Sequence, residues 1–440
     1  MKYDVCPGRD PAHLSPRGLD QRGQHISMEE PADAVGEAGA DPSQPPGDPP
    51  RTEIRRRVRV TYYWIDSKRR VSKYGLCFKQ VRDCNMGYRP TIVTIGGFLG
   101  AGKTSLIVAA ARLLHGRGVK AAALLNDHGA ELVDASFVEA NGIQTGQVAG
   151  GCFCCRLSDL VHAAEELRDH LPEVIFAEAV GSCTDISATV LQPLKLEHAA
   201  QFRVAPYTVL VDPERVGRWM DPSLDPALAF LFYKQIQEAD LVCFTKTDLF
   251  TEFPSLAGCS ARFLSSQTGD GVAAWLDDVL GGRFRPGGKI LEIDYERYAR
   301  AEAALAWLNC SAALQPASPA SPASVVGPLL EGLATALTAK GFTIAHLKVM
   351  DESPTGWVKA SIVRNGGQPS VQGNLNASPA VAHEILLNAR AAGSPDDLRF
   401  AVETQLAAIP GTITIRSLQC FSPSPPKPER RLGYVVTECG

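Results

Sequence analysis

The sequence predicts an α/β fold, in which a mainly parallel sheet flanked by helices is followed by a smaller α+β domain. Two observations carry this prediction. From Thr91 onward, short apolar runs alternate with helical patterns, which is typical of parallel strands that are buried on both faces and joined by helical crossovers. Beyond residue 286, strands and helices follow in an order that allows a ferredoxin-like arrangement.

The predicted parallel strands belong to a first domain over residues 89–285. Because the carboxyl ends of parallel strands meet at one edge of a sheet, we expect the polar residues that follow them to share a site. The strands are predicted at Thr91–Ile95, Ala121–Leu125, Val174–Ala177, Thr208–Val211 and Leu241–Phe244.

Composition excludes several classes of protein. The chain has 440 residues, of which 45% are hydrophobic and 21% charged, as in an ordinary globular protein. A net charge of -4 implies no general attraction to nucleic acid or membranes, and no apolar run reaches the roughly 18 residues of a membrane span. The 12 cysteines do not resemble a disulfide framework, and no secretory signal is apparent, so we expect a reducing compartment, the cytoplasm.

The residues before the first strand, 1–88, are predicted to be a disordered extension. Residues 1–50 are rich in Pro, Gly and acidic residues. Residues 51–83 are basic, which fits a patch for nucleic acid or an acidic partner, but a solvated arm is the interpretation we favour. Met86 closely precedes the first strand, so the segment before it is expected to be dispensable or an over-extended gene start.

The second domain is predicted over 286–421. Residues 315–324 are low in complexity and are interpreted as a flexible insertion. A helix begins near Ser394, which suits a cap, and Pro395 suits the first helical position. Residues 422–440 are Pro-rich at their start and are expected to form a flexible tail. The remaining elements are predicted at 303–308, 325–340, 343–349, 357–363, 383–389 and 412–418.

A phosphate-binding loop follows the first strand. The pattern is Gly97-x-x-x-x-Gly102-Lys103-Thr104, with a strand before it and a helical pattern after it. Backbone N–H groups in such a loop wrap phosphates, and the helix N-terminus adds positive potential. Lys103 is expected to reach the β- and γ-phosphates and Thr104 to bind Mg²⁺. The expected nucleotide-binding residues of this segment are Gly97, Gly100, Ala101, Gly102, Lys103, Thr104 and Ser105.

A base-recognition segment, Thr245-Lys246-Thr247-Asp248, follows the last apolar strand. Asp248 can accept the two hydrogen bonds that the guanine N1–H and 2-amino group donate, and adenine lacks that donor pair. Lys246 would lie along the base. The open alternative is a strand-end turn with ordinary charges. Residues 265–269 are a weaker candidate for a loop that contacts guanine O6.

An acid, Glu178, ends the third strand and Gly181 follows it. A carboxylate at this edge can hold Mg²⁺ or its water shell, and the Gly181 N–H can contact the γ-phosphate. We therefore expect Lys103, Thr104, Glu178 and Gly181 to act in catalysis. The alternative for Glu178 is an acid that caps a helix.

Three cysteines crowd into Cys152, Cys154 and Cys155. Thiolates are soft ligands that favour Zn²⁺, Cu⁺ and similar ions. Three thiols within four residues do not easily bind one tetrahedral ion, so two of them plus an outside donor are expected. Such an open site suits transfer of a metal. A redox pair or buried inert cysteines are the alternatives.

Together these motifs resemble the CobW-type GTPases, a family of metallochaperones. The matching elements are the loop Gly96–Thr104, the switch-like segment Asn126–Asp134, Gly151–Cys155, Glu178 with Gly181, and the base motif that ends at Asp248. The resemblance covers roughly residues 90–280.

The resemblance implies GTP hydrolysis with Mg²⁺, coupled to delivery of a transition metal, Zn²⁺ or Co²⁺, to a client metalloprotein. It implies that either Cys154 and Cys155 or Cys152 and Cys154 bind the metal between the two switches, and that nucleotide state alters the coordination of the metal. A metal- or nucleotide-dependent dimer is an option, and neither nucleic acid nor a membrane is an expected partner. The rival hypothesis is a nucleotide-switched binding module with little catalytic turnover.

The sequence departs from the family pattern at three places. Thr245 replaces the usual Asn, so guanine binding is expected to be weaker. Asp127, His128 and Ala130 replace the Glu, Phe and second Glu of the switch segment, so His128 is a candidate ligand. Cys183 lies after Gly181 and is a candidate for an additional thiol ligand.

Overall fold

The computed structural model describes residues 88–129, 133–219, 226–256 and 261–437, together with two short strands, β1 (Trp64–Ile65) and β2 (Val71–Ser72). These two strands pair antiparallel with each other inside a unit that spans residues 1–79. The remainder of the predicted extension, up to residue 87, lies outside the described residues. Residues 80–440 form a second unit, which contains all the remaining helices and strands that the structure describes.

The first part of this unit alternates strands and helices. In chain order they are β3 (Thr91–Gly97), α1 (Lys103–Gly116), β4 (Ala121–Asn126), α2 (Val133–Ala140), β5 (Gln144–Val148), α3 (Leu157–Leu167), β6 (Val174–Glu178), α4 (Gln192–Glu197), β7 (Arg203–Val204), β8 (Thr208–Val211), α5 (Pro213–Trp219), α6 (Pro226–Glu238), β9 (Leu241–Phe244), β10 (Ala261–Phe263) and α7 (Val272–Leu280).

These strands form an eight-stranded sheet in the order β10-β9-β8-β3-β6-β4-β5, with β7 also beside β3. The described pairs are all parallel. Each sheet face packs against helices, because alternate strand residues enter two separate apolar clusters. The predicted α/β class is therefore confirmed. The order places the carboxyl ends of β3, β6 and β4 next to one another, which is where the predicted site residues lie.

The second part contains α8 (Tyr295–Ala303), β11 (Leu305–Pro316), α9 (Pro322–Ala339), β12 (Thr343–Ser353), β13 (Gly356–Ile362), β14 (Ser370–Gly373), β15 (His383–Ala392), α10 (Pro395–Ala407) and β16 (Gly411–Phe421). Six strands form an antiparallel sheet in the order β14-β13-β12-β15-β11-β16. Its last four strands, crossed over by α9 and α10, have the ferredoxin-like order, and the β13–β14 pair extends one edge.

Two expectations about flexible segments need correction. Residues 315–324 are not an insertion, because they end β11 and begin α9, where the Ser321 hydroxyl accepts a hydrogen bond from the Ser324 N–H. Repeated Ser and Pro suited a helix cap and first turn as well as a linker. Residues 422–437 have no helix or strand, yet Pro423, Pro426 and Leu432 are buried, and the Leu432 N–H donates to the Ala188 carbonyl at 2.9 Å. In the described part of the chain, no helix is long and apolar enough to cross a membrane.

Candidate functional site

The phosphate-binding loop connects β3 to α1 and depends on glycine. Gly97, Gly100 and Gly102 have φ angles of 127°, 79° and 92°, a region that other residues rarely adopt. A Cβ atom at Gly97 would also lie 2.4 Å from the carbonyl oxygen of Leu210. Lys103 Nζ crosses the loop and donates a hydrogen bond to the Gly97 carbonyl at 2.9 Å. The loop therefore has the backbone shape that exposes N–H groups to an anion.

Thr104 and Glu178 meet beside this loop, as the sequence predicts. Ile95 of β3 is in register with Glu178 of β6, and the Thr104 hydroxyl donates to Glu178 Oε1 at 3.2 Å. Glu178 Oε2 is buried and has no hydrogen-bond partner among the residues that the structure describes. Burial raises the pKa of Glu178 and lowers that of Lys103, while the charge of each opposes the shift in the other. An orphaned carboxylate oxygen beside a hydroxyl suits a hard cation such as Mg²⁺.

Gly181 lies directly against the phosphate loop. A Cβ atom at this position would be 3.0 Å from the Leu99 backbone nitrogen and closer still to the Leu99 side chain. The Gln235 side-chain amide donates to the carbonyl oxygens of Gly181 and Cys183, both at 2.9 Å. The segment after β6 is thus held in contact with the loop that would bind the γ-phosphate.

The residues predicted to recognise the base lie at the ends of β9 and β10. Asp248 is exposed, and its Oδ1 accepts a hydrogen bond from the Ser265 hydroxyl at 2.5 Å. Lys246 Nζ binds Asp212 at 2.6 Å. A cavity of about 500 Å³ opens beside Ser105 and is lined on its other sides by Ser266 and by the β13–β14 part of the second sheet. The hydrogen bond between Ser265 and Asp248 brings the two segments predicted to contact the base, 245–248 and 265–269, close to each other.

Thr245, which stands where the family usually has Asn, contacts the phosphate loop. The buried Thr245 hydroxyl donates to the Ala101 carbonyl at 3.0 Å and so bridges β9 to that loop. The weaker guanine binding expected from this replacement stays a prediction.

Four thiols lie close together near the carboxyl edge of the parallel sheet. The sulfur atoms of Cys152, Cys154 and Cys183 all lie within 4.8 Å of one another, and all three residues are buried. Cys155 is half-buried, with its sulfur 3.6 Å from that of Cys152 and 3.7 Å from that of Cys154. Sulfur atoms about 2.3 Å from a tetrahedral zinc ion are about 3.8 Å apart. The sulfur of Cys183 lies 3.8 Å from that of Cys154, whereas the sulfurs of Cys152 and Cys154 are 2.7 Å apart and would have to separate to bind one ion together.

The sequence alone could name Cys183 only as a candidate, because the residue is 28 positions from Cys155 along the chain. The structure brings it to the motif because β5 and β6 both end at this edge. His128, the other candidate for an outside ligand, does not join these thiols. Hydrogen bonding with Cys152 and Cys154 lowers the pKa of Cys183 to about 6, and hydrogen bonding with the neighbouring thiols raises the pKa of Cys154.

The C-terminal segment 422–437 crosses both thiol-bearing loops, and we call it the strap. The Lys427 N–H donates to Cys155 Sγ at 3.1 Å and the Glu429 N–H to the Cys154 carbonyl at 3.2 Å. Arg431 binds the buried Asp185 carboxylate at 2.8 Å. Asp185 has a φ of 65° and lies two residues after Cys183, so the strap connects the two loops that carry the thiols.

The switch-like segment lies on the second sheet. Arg390 binds the Asp127 carboxylate at 2.7 and 2.9 Å, and the Asn388 side chain accepts a hydrogen bond from the Val133 N–H at 2.9 Å. Asp134 binds Lys348 at 2.5 Å and Lys359 at 3.2 Å, and these cations hold its pKa well below the ordinary value although burial alone would raise it. Sequence reasoning missed these partners, because each follows an ordinary strand pattern.

Comparison with known proteins supports the same assignment. Residues 91–270 match the model of the CobW/HypB/UreG nucleotide-binding domain. The chain is 28% identical over 181 residues to the zinc chaperone YjiA of Escherichia coli strain K12, a match that covers 39% of this chain and 54% of that protein. The chain thus spans about half the length of the curated relative it matches.

Solved structures of two relatives also match. Zinc-bound YjiA GTPase from E. coli is 14% identical with a TM-score of 0.27, and the match covers 72% of this chain and 99% of that one. HypB from Helicobacter pylori, in complex with nickel, is 18% identical with a TM-score of 0.33, and the match covers 45% and 88%. Residues 91–270 thus resemble the CobW/HypB/UreG nucleotide-binding domain, and within them the loop Gly97–Thr104 has the backbone geometry of a P-loop.

Proposed function

We propose that this protein binds and hydrolyses GTP with Mg²⁺, holds a transition metal ion at its thiol cluster and delivers that ion to a client metalloprotein. The observation that carries the proposal is the convergence of Cys152, Cys154 and Cys183 within 4.8 Å, on loops that start at the nucleotide edge of a CobW-type domain. Zinc is the first candidate cargo, because the curated relative is named a zinc chaperone.

The nucleotide chemistry rests on few side chains. Lys103 supplies the main side-chain charge to the phosphates, and the loop N–H groups surround them. Thr104 and Glu178 offer the hydroxyl and carboxylate oxygens that suit Mg²⁺, which when bound would neutralise phosphate charge. Asp248 and Lys246 would recognise guanine, with Thr245 bracing the loop between base and phosphates. The Gly181 N–H would contact the γ-phosphate.

The thiols would respond to nucleotide through short connections. Gly181 contacts the phosphate loop, and Cys183 follows two residues later. On the other side, the Asn126 amide donates to the Gly151 carbonyl at 2.7 Å and accepts from the Phe153 N–H at 2.7 Å. A γ-phosphate that orders both segments would therefore change the spacing of the sulfur atoms. Energetic coupling of this kind is reciprocal, so metal should tighten GTP by the same factor.

The test is a metal titration in three nucleotide states. Zn²⁺ is titrated into reduced protein without nucleotide, with GDP and with a non-hydrolysable GTP analogue. We expect affinity about 5–150-fold higher with the GTP analogue than without nucleotide. Cys154→Ser/Cys183→Ser should lose this binding, whereas Cys243→Ser, which changes a buried cysteine outside the cluster, should keep it. Equal affinity in all three states would leave an inert or structural cluster.

The rival hypothesis has its own signature. A nucleotide-switched binding module would bind GTP but turn it over slowly, with a rate that neither metal nor client changes.

Because the proposed function requires free thiols, we place the protein in a reducing compartment, the cytoplasm. A metal- or nucleotide-dependent dimer stays a prediction.

A further inference from the structure

A cavity of about 500 Å³ separates the first domain from the β13–β14 hairpin of the second sheet (residues 356–375). Ser105 at the start of α1 and Ser266 lie on one side of it, and Gln372 and Asn374 of the hairpin lie on the other. Its volume is within the range of sites that bind small molecules. Elements of both domains therefore surround one space that is large enough for part of a nucleotide.

The ribose of a bound guanine nucleotide would lie at this cavity. Phosphates on the loop Gly97–Thr104 and a base on Asp248 leave the sugar between them, because the ribose joins the base to the α-phosphate. Ser105 directly follows the phosphate loop, and Ser266 follows Ser265, whose hydroxyl donates to Asp248 at 2.5 Å. Both ends of the expected nucleotide site thus adjoin the same cavity.

We propose that the β13–β14 hairpin completes the nucleotide site, with the side-chain amides of Gln372 and Asn374 hydrogen-bonded to the ribose hydroxyls of a bound guanine nucleotide. The inference deepens the proposed function and rests on it for the identity of the ligand. It gives the second domain a part in nucleotide specificity, because a site that binds a hydroxyl disfavours an analogue that lacks it.

Backbone contacts fix the direction of the Asn374 side chain. The Asn374 N–H donates to the Trp357 carbonyl at 2.7 Å, and Asn374 Oδ1 accepts from the Trp357 N–H at 3.2 Å. Because an N–H must meet an acceptor, the amide oxygen is turned toward Trp357 and the NH₂ group away from it. Gly356 makes room for this contact, since it has a φ of 142° and a Cβ atom there would lie 2.8 Å from Oδ1. The NH₂ group is therefore available to donate to a ligand in the cavity.

Contacts with α2 hold the hairpin against the first domain. Trp357 lies edge-on to Phe137, with ring centroids 5.8 Å apart. Lys359 Nζ lies 3.9 Å from the centroid of the Phe137 ring and binds Asp134 at 3.2 Å. Gln372 is in register with Lys359, so its side chain lies on the same face of the sheet, toward the first domain. The same helix that follows the switch-like segment thus positions this wall of the cavity.

The test compares GDP with an analogue that lacks both ribose hydroxyls. GDP and 2′,3′-dideoxy-GDP are titrated with Mg²⁺ into the full chain by calorimetry. We expect GDP to bind about fivefold or more tightly than the analogue, because the analogue leaves the two amides without partners. Asn374→Ala should weaken GDP but leave the affinity of the analogue unchanged, so that the ratio of the two affinities falls. A merely structural role would weaken both nucleotides alike.

Two further variants complete the test. Gln372→Ala keeps the contacts between Asn374 and Trp357, so it should also lower the ratio, and it decides the question if thermal unfolding shows that Asn374→Ala is not folded. Asn376→Ala is a matched control, because Asn376 is exposed in the same loop and does not line the cavity, and it should leave the ratio unchanged.

The inference is overturned if the unmodified chain binds GDP and 2′,3′-dideoxy-GDP equally well, or if the ratio of affinities persists in the folded hairpin variants. Failure of the proposed function looks different. In that case the zinc titration would show a metal affinity that is independent of nucleotide, while the discrimination against the dideoxy sugar and its dependence on the hairpin remained.

Discussion

The phosphate-binding loop and the thiol cluster lie at the same edge of one sheet, but they are built in different ways. The loop is a contiguous run, Gly97–Thr104, whose shape depends on glycines at positive φ and on the strand and helix that flank it. The thiol cluster takes Cys152 and Cys154 from one loop, Cys183 from another and backbone contacts from the strap. The loop depends on local backbone geometry, whereas the cluster depends on long-range packing.

The same contrast applies to the switch-like segment. Its position in the chain follows β4, but its partners belong to the second sheet, as the Asp127–Arg390 and Asp134–Lys348 ion pairs show. These pairs are mostly buried, and because Asp127 pairs with Arg390, removing Arg390 would leave the Asp127 carboxylate without its cation. The second sheet is therefore part of the structure that sets the resting position of this segment. A change in nucleotide state that moves the segment would have to rearrange these pairs.

The largest effect is expected in the phosphate-binding loop, which is the contiguous part of the site. Lys103→Ala should lower the kcat of GTP hydrolysis by about 10²–10³-fold or more, because it removes the main side-chain charge on the phosphates. Phosphate release measures the rate. Lys340→Ala, which changes a lysine paired with Asp397 on the second domain, should leave it unchanged. Near-native turnover of Lys103→Ala would refute the assignment of the phosphate loop.

The next effect concerns the base. Asp248→Asn should reduce the preference for GTP over ATP by about 10²-fold or more, because it turns one acceptor oxygen into a donor that faces a donor. Competition among GTP, XTP and ATP measures this, and XTP should gain relative to GTP. Asp270→Asn is a suitable control, since that carboxylate contacts Thr268 in the neighbouring turn. An unchanged preference would remove Asp248 from the base pocket.

Local patterns in the sequence were enough for the fold class and for the phosphate loop, because strand periodicity, glycine and capping residues act over a few positions. Placing Glu178 next to Thr104 also needed only the rule that parallel strands share a carboxyl edge. In contrast, nothing in the helix pattern of 295–303 distinguished Glu302, and nothing in the strand pattern of 383–392 distinguished Arg390. Their contacts with residues 182 and 127 bridge separations of 120 and 263 positions.

The strap shows why the sequence did not predict that the C-terminal segment has a fixed position. Its prolines exclude regular structure, which we interpreted as flexibility, but extended chain can still donate backbone hydrogen bonds and bury side chains. Residues 315–324 were misjudged for a related reason, since Ser and Pro serve both linkers and helix starts. Amino-acid composition indicates the conformation that a segment prefers in isolation. The positions of these two segments are instead fixed by their contacts with the rest of the protein.

A smaller effect is expected at the thiol cluster, which depends on long-range packing. Arg431→Ala removes the partner of the buried Asp185 carboxylate and should loosen the loop that carries Cys183, so Zn²⁺ affinity should fall by about 10–100-fold, as for other outer contacts of metal ligands. Arg430→Ala is a matched control, because Arg430 pairs with Glu197 at the surface and both side chains are substantially exposed. Competition with a chelator measures affinity. If the two variants behaved alike, the strap would only cover the thiols.

The smallest effect is expected at Thr245, which contacts the phosphate-binding loop. Thr245→Val keeps the shape of the side chain but removes the hydroxyl that donates to Ala101, and a lost hydrogen bond of about 1 kcal/mol corresponds to roughly fivefold weaker GTP binding. Thr245→Asn restores the residue usual in the family and should change GTP affinity by less than about threefold, because the brace is already present. Titration with fluorescent GTP measures both, and thermal unfolding checks that each variant is folded. A large gain from Thr245→Asn would mean that the hydroxyl does not replace the amide, and that a long-range contact limits even the contiguous part of the site.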